Sequence, residues 1–323
     1  MVALISRRDA LDRLVLGSTA LASAGALTWW RFEPATGLSS GPRSEGQVRS
    51  YEVRSPATGP VMAIAKSSRE PAILTRRAVD ALGGIARFVS RDDVVAIKPN
   101  IGWDRLPVHA ANTNPHVVAE LVRMCFEAGA KRVVVADVSC NEPNRSFQRS
   151  GIWRAAHSAG ATVILPSPHR FRMLRMQGEL LDEWPIFIPL VDADKVINVP
   201  IAKHHNLSRY SGAMKNWYGL LGGRRNRLHQ NIDVSIADLA TFMRPTLTLL
   251  DATRILVRNG PQGGDLDDTR DAHQVIASLD QVAVDAYGAR LIGERPENIG
   301  YLRLAQERGL GTFQLQRVDS VEV

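Results

Sequence analysis

NPHVVAELVRMCFEAGAKRVVVAD, residues 114–137, spells a capped helix running straight into a buried strand. Asn114 offers an N-cap, and Pro115 fills the first helical position, where its missing N–H leaves nothing unsatisfied. Apolar residues at 117–128 recur at helical spacing, and Gly129 supplies the left-handed residue that closes a helix. Arg132-Val133-Val134-Val135-Ala136-Asp137 is then a β-branched run of strand length. The preceding Val94-Val95-Ala96-Ile97 has the same buried-strand character, so the whole reads as strand, crossover helix, strand.

The alternation continues outward in both directions. Residues 61–65 read as a strand and 73–82 as a helix ended by Gly83-Gly84; 147–159 read as a helix and 162–165 as a strand. Residues 174–188 read as a hairpin or an insertion. Lys195-Val196-Ile197-Asn198-Val199 follows as a strand, with helices at 211–221 and 232–243. Strands at 246–251 and 275–278 and a helix at 281–292 complete the pattern. It predicts an α/β fold over residues 59–315: a largely parallel sheet with helices on both faces, in a single large domain or two closely packed α/β halves.

The front end reads differently. Ser6-Arg7-Arg8-Asp9-Ala10-Leu11 is a twin-arginine pattern ahead of a moderately apolar run, so residues 1–30 read as a signal for the twin-arginine translocation machinery. Ala22-Ser23-Ala24 and Ala24-Gly25-Ala26 both offer cleavage sites, while a run near the lower length limit of a membrane span leaves an uncleaved anchor open. Residues 31–58, rich in Pro, Gly, Ser and Arg, read as a linker. The expected location is therefore periplasmic, or anchored to the outer face of the cytoplasmic membrane.

The formal charge of +7 comes mostly from Arg, and without residues 1–24 it is still +6. The basic residues are dispersed and no nucleic-acid motif is present, so a small anionic molecule is the expected partner rather than nucleic acid. Only Arg224, Arg225 and Arg227 cluster, as a cationic lid that would deliver His229 or as a docking loop for a protein partner. Two cysteines without a CxxC spacing argue against an iron–sulfur cluster. Cys125 falls in an apolar helical run, whereas Cys140 follows a strand.

Ligands of open α/β sheets gather beyond the carboxyl ends of the strands, and Lys98, Asn100, Asp137, Lys203, His204 and Asp251 lie at or just past such ends. Lys98 at the end of a buried strand must meet either an anion or an internal acid, with Asp137 and Asp251 the candidates. Lys215 and Asn216 follow a helix start at Gly212. The expected pocket therefore holds an anion between Lys98, Asn100, Lys203, Lys215 and Asn216. Acid–base or metal-assisted chemistry would fall to His204 or His205, with Asp251 or Asp137 as partner. No HxH or HExxH spacing spells out a metal site, no GxSxG marks a nucleophile, and residues 259–264 form a glycine turn without phosphate-loop spacing. Asp285 is expected to face Lys98 or Lys215 as a counter-ion.

In order along the chain stand Lys98-Pro99-Asn100, Asn112-Thr113-Asn114-Pro115, Glu127-Ala128-Gly129-Ala130, Asn198-Val199-Pro200, Lys203-His204, Gly212-Ala213-Met214-Lys215-Asn216 and Asn259-Gly260-Pro261. This ordered set resembles the family catalogued as domain of unknown function 362. Some members of that family carry ferredoxin-type cysteine motifs; this chain lacks them, so the resemblance implies a fold and candidate residues without a redox role. The expected function is an exported enzyme acting on a small carboxylate or phosphate. A non-catalytic carrier of an anionic ligand or cofactor, and an accessory factor for an exported redox protein, are the alternatives.

Overall fold

A computed structural model describes residues 48–53 and 59–323; the expected signal and most of the linker lie outside the described residues. The strands are β1 (Met62–Ala65), β2 (Val94–Pro99), β3 (Arg132–Ala136), β4 (Thr162–Ile164), β5 (Phe171–Arg175) and β6 (Glu183–Phe187). They continue as β7 (Lys195–Val199), β8 (Ile201–His205), β9 (Arg209–Ser211), β10 (Leu247–Leu256), β11 (Thr269–Ser278) and β12 (Ser320–Glu322). Ten of them form one sheet in the order β12-β1-β11-β10-β7-β2-β3-β4, with β8 beside β10 and β9 beside β8. β11 and β9 run antiparallel to their neighbours, and the remaining pairs are parallel. The chain is α/β in a single domain.

Both faces of the sheet are buried, which is why its strands read as continuous apolar runs. Val95, Ile97, Val133 and Val135 pack with Leu74 of α1 (Pro71–Asp80) and Leu121 and Val122 of α2 (Pro115–Glu127). The alternate residues, Ala96, Val134, Ala136 and Val196, belong to a second cluster with Trp217, Leu239 and Val284. That second layer is built from α5 (Ala213–Asn216), α6 (Ile232–Phe242), α7 (Gln281–Leu291) and α8 (Gly300–Glu307). Lys98 follows Ala96 at a spacing of two, so it too faces the second layer. Among the described residues no helix is long and apolar enough to cross a membrane.

Several expected elements take a different form. The helix expected at 147–159 is two short ones, α3 (Pro143–Arg149) and α4 (Ile152–Ser158), because Gly151 adopts φ 74° between them. Residues 174–188 fall largely within the separate β5–β6 hairpin. The helix expected at 211–221 is only the single turn of α5 followed by a 3-10 turn, Trp217–Leu220. That tightening lands Gly219 on the end of β3, where its carbonyl accepts the Val138 N–H at 2.9 Å.

The sheet order creates a crevice. After β2 the chain crosses through α2 to β3 on one side; after β7 it moves toward β10 on the other. β2 and β7 are neighbours, so their carboxyl ends form the topological switch point at which open α/β sheets bind ligands.

Candidate functional site

A cleft of about 850 Å³ opens beyond the ends of β2 and β3, lined in part by Asn100, Cys140, Lys203, His205, Lys215, Arg225 and His229. Its floor is a chain of polar side chains. Lys98, fully buried, donates to Asp137 Oδ1 at 2.7 Å, Asn216 Oδ1 at 3.1 Å and the Pro99 carbonyl at 3.0 Å. Asn216 accepts a second bond from Asn100 Nδ2 at 3.0 Å and donates to the Lys98 carbonyl and to Asn198 Oδ1. β2–β7 register explains the last contact, because it sets Lys98 directly opposite Asn198. Asn100 Oδ1 then accepts from Lys203 Nζ at 2.9 Å, and Lys203 also donates to the Ala111 carbonyl at 2.6 Å.

Lys98 is therefore the structural member of the set. Its charge is met by Asp137, and it sits behind Gly219, where a Cβ would overlap both Asp137 Oδ1 and Lys98 Nζ. Burial lowers its proton affinity, and the Asp137 carboxylate opposes that. Lys203 and Lys215 are different. Both line the cleft, both are buried, and neither forms an ion pair among the described residues. Lys215 Nζ has no hydrogen-bond acceptor there either; it rests 4.4 Å from the centroid of the Tyr218 ring. Loss of hydration on burial pushes Lys203 down to about 7 and Lys215 down to about 8.

Strand alternation separates the two adjacent histidines. Lys203 and His205 face the cleft from β8, while His204 points to the opposite face and accepts the Gly260 N–H at Nδ1, 3.2 Å away. His204 thus supports the turn at 259–264 rather than the cleft. Asp251 is also remote from it: fully buried, it accepts from the Asn114 N–H at 2.7 Å and from Thr253 N–H and Oγ1, tying the start of α2 to β10. Asp285 does not meet a lysine. Its carboxylate accepts the Ala213 and Met214 N–H groups, the latter at 3.0 Å, and so occupies the start of α5 where an anion was expected.

The histidines that do face the cleft are complementary. His205 Nδ1 accepts the Leu207 and Ser208 N–H groups at 3.2 and 3.3 Å, which puts its proton on Nε2. Burial, with Lys215 and Lys203 nearby, pushes its pKa down to about 2, so the ring stays neutral. His229 comes from the 3-10 turn Arg225–Asn231 and stacks on His205 with ring centroids 6.2 Å apart. Its Nδ1 lies 3.0 Å from the Asn226 carbonyl, a pure acceptor, so Nδ1 carries the proton and Nε2 the lone pair. Burial and the Lys215 and Arg225 charges lower its proton affinity too.

Arg225, expected as part of a lid or a docking loop, is pinned inward. It donates to the Tyr218 and Ser139 carbonyls at 2.8 Å each, and its Nη2 lies 3.5 Å from Cys140 Sγ. Arg227 stacks over Trp184 instead. Among the described residues no group of three or more His, Cys, Asp or Glu side chains is arranged to hold a metal ion, so the donor set for metal-assisted chemistry is not assembled there. Two contributors carried only weak markers in the sequence. Asn198 was legible only as a motif residue, and Tyr218 only as the residue three positions after Lys215 on a short helical segment.

A family model described as domain of unknown function (DUF362) matches residues 95–290. The chain belongs to this family. The matched span takes in Lys98, Lys203, Lys215 and His229, and so the whole lysine set of this DUF362 cleft. Over 250 residues the chain is 24% identical to a thylakoid-associated protein of Synechocystis sp., covering 73% of this chain and 74% of that one. It is also similar to the lactate racemase apoprotein of Thermoanaerobacterium thermosaccharolyticum, with a TM-score of 0.42 and 12% identity. That match covers 75% of this chain and 59% of the racemase.

Proposed function

We propose that this DUF362 chain is an enzyme that binds a small carboxylate or phosphate in the switch-point cleft and acts on it by acid–base chemistry. One observation carries the reading: two buried lysines, Lys203 and Lys215, stand on the cleft wall with no carboxylate partner among the described residues. A buried ammonium without a counter-ion is costly, and a bound anion removes that cost. Lys203 has two of its three N–H bonds committed and Lys215 has none, so four donors remain for a ligand. His205 Nε2–H adds a neutral donor. His229 Nε2 is the proton acceptor of the set, in place of the expected His204.

The same reading has the domain working outside the cytoplasmic membrane, supported by the twin-arginine pattern at Arg7 and Arg8. The test of the cleft is calorimetric titration with phosphate, succinate and lactate at pH 7. At least one should bind, and Lys203→Met and Lys215→Met should each weaken it by about tenfold or more, the loss of one charge-assisted contact. An unbound wild type, or variants that bind equally well, would sink the reading. His229→Asn should retain binding, and its loss of turnover on any substrate so found would separate an enzyme from a carrier.

A further inference from the structure

The chain uses arginine almost everywhere it needs a cation: 34 of its 40 basic residues are Arg and only six are Lys. Three of those six, Lys98, Lys203 and Lys215, are buried at this one site. Arginine grips an anion in two places and cannot release its proton, whereas a desolvated lysine can become a free amine. A chain that needed only positive charge here had the residue it uses elsewhere, so the concentration of lysine points to amine chemistry.

The three lysines are not equivalent. Lys98 is paired with Asp137, and Lys203 is held between Asn100 and the Ala111 carbonyl. Lys215 alone has no acceptor among the described residues; its Nζ lies over an aromatic ring at the edge of the cleft. We infer that Lys215 is an imine-forming residue, whose amine condenses with the carbonyl group of a small carbonyl-bearing anion held in the cleft. This rests on the anion-binding reading above and names the class of molecule that reading leaves open. A lysine desolvated beside other cations is the known way to make an amine nucleophilic near neutral pH. The depression of Lys215 to about 8, caused first by burial and also by Arg225, acts in the same direction.

The step balances with one proton from solvent. The Lys215 lone pair forms a C–N bond to the carbonyl carbon, and the C=O π pair moves to oxygen. One nitrogen proton passes to that oxygen, with His229 Nε2 as the nearby acceptor that can relay it. With a second proton taken up from solvent by that oxygen, the C–O bond breaks, water leaves, and the nitrogen lone pair closes the C=N bond as an iminium on Lys215. Lys203 and the His205 Nε2–H hold the acid group, and the cationic C=N draws electrons from the adjacent carbon, which makes its proton removable by a base.

The experiment is reductive trapping on the full-length protein. It is incubated at pH 7.5 with sodium cyanoborohydride and, separately, pyruvate, 2-oxoglutarate or glyceraldehyde 3-phosphate, then digested and mapped by mass spectrometry. A stoichiometric adduct on the peptide carrying Lys215 is expected, with the exposed Lys66 and Lys131 unlabelled. The probe that labels best tells a carboxylate from a phosphate substrate. Lys215→Arg, which keeps the charge, should abolish the adduct, and site mapping in the wild type stands even if that variant folds poorly. Calorimetry with succinate and phosphate, which lack a carbonyl, runs in parallel. Binding of either anion with no adduct would overturn the imine alone, and absence of both would overturn the anion reading as well. An adduct on Lys203, or one spread over the exposed lysines, would overturn the assignment to Lys215.

Discussion

At the scale of single residues, the buried Lys98–Asp137 pair is the most exposed to damage. Asp137 accepts Lys98 Nζ and the N–H groups of Ile101 and Val138, so its charge is fully used. Asp137→Asn leaves an ammonium buried without a counter-ion and is expected to cost about 3–5 kcal/mol. Urea unfolding should show this as a lower midpoint at unchanged slope. Lys203 and Lys215 make a second prediction, on pH. Their folded values, about 7 and about 8, lie below the ordinary lysine value of 10.5. Between those limits the unfolded chain holds protons that the folded chain has released, so stability rises with pH from about 7 to about 10.5. Lys203→Met should flatten that rise in unfolding midpoints measured without phosphate. Anion affinity should run the other way and fall above pH 7–8 as the lysines lose charge, by up to about tenfold per pH unit for each one that titrates.

Elements decide which of neighbouring residues can act. His204 and His205 are adjacent in sequence and equivalent in composition, yet β8 turns one away from the cleft and the other into it. The sequence marked the cluster, and only the strand assignment told the two apart, because side chains alternate at a period of two. α5 shows the same dependence. Gly212 and Lys215 suggested a helix start open to an anion, but Asp285 from α7 reaches that start first, and a Cβ on Gly212 would overlap its carboxylate. Asp285 is a cap supplied from 71 residues downstream of Met214, a partner that local spacing has no means to announce. Asp285→Ala should cost about 1–3 kcal/mol through two unsatisfied buried N–H groups, and Asp285→Asn less, because an amide oxygen still accepts. Thermal denaturation of the two variants side by side reads the difference.

At the scale of the whole molecule, the cleft exists because the chain leaves β2 and β7 in opposite directions. A binding anion should therefore stabilise the entire domain, since residues 98–100, 203 and 215 come from well-separated parts of the chain. The export proposed above also belongs to this scale: if the twin-arginine pattern directs it, Arg7→Lys with Arg8→Lys should leave the full chain in the cytoplasm, read by cell fractionation, whereas the cleft variants should not alter its distribution. Lys203 falls in the middle of β8, a strand that pattern did not mark, whereas local pattern alone specified the alternation of strand and helix, the two-faced burial of the sheet and the strand end where Lys98 and Asn100 lie. Those are properties of local periodicity and capping, and each is written within a few residues. Long-range packing was needed to pair Lys98 with Asp137, to set Asp251 and Asp285 at helix starts, and to join His229 and Arg225 with Lys203 and Lys215 around one cleft. Such pairings join residues tens of positions apart, and they are fixed by strand order and register, which composition and spacing do not encode.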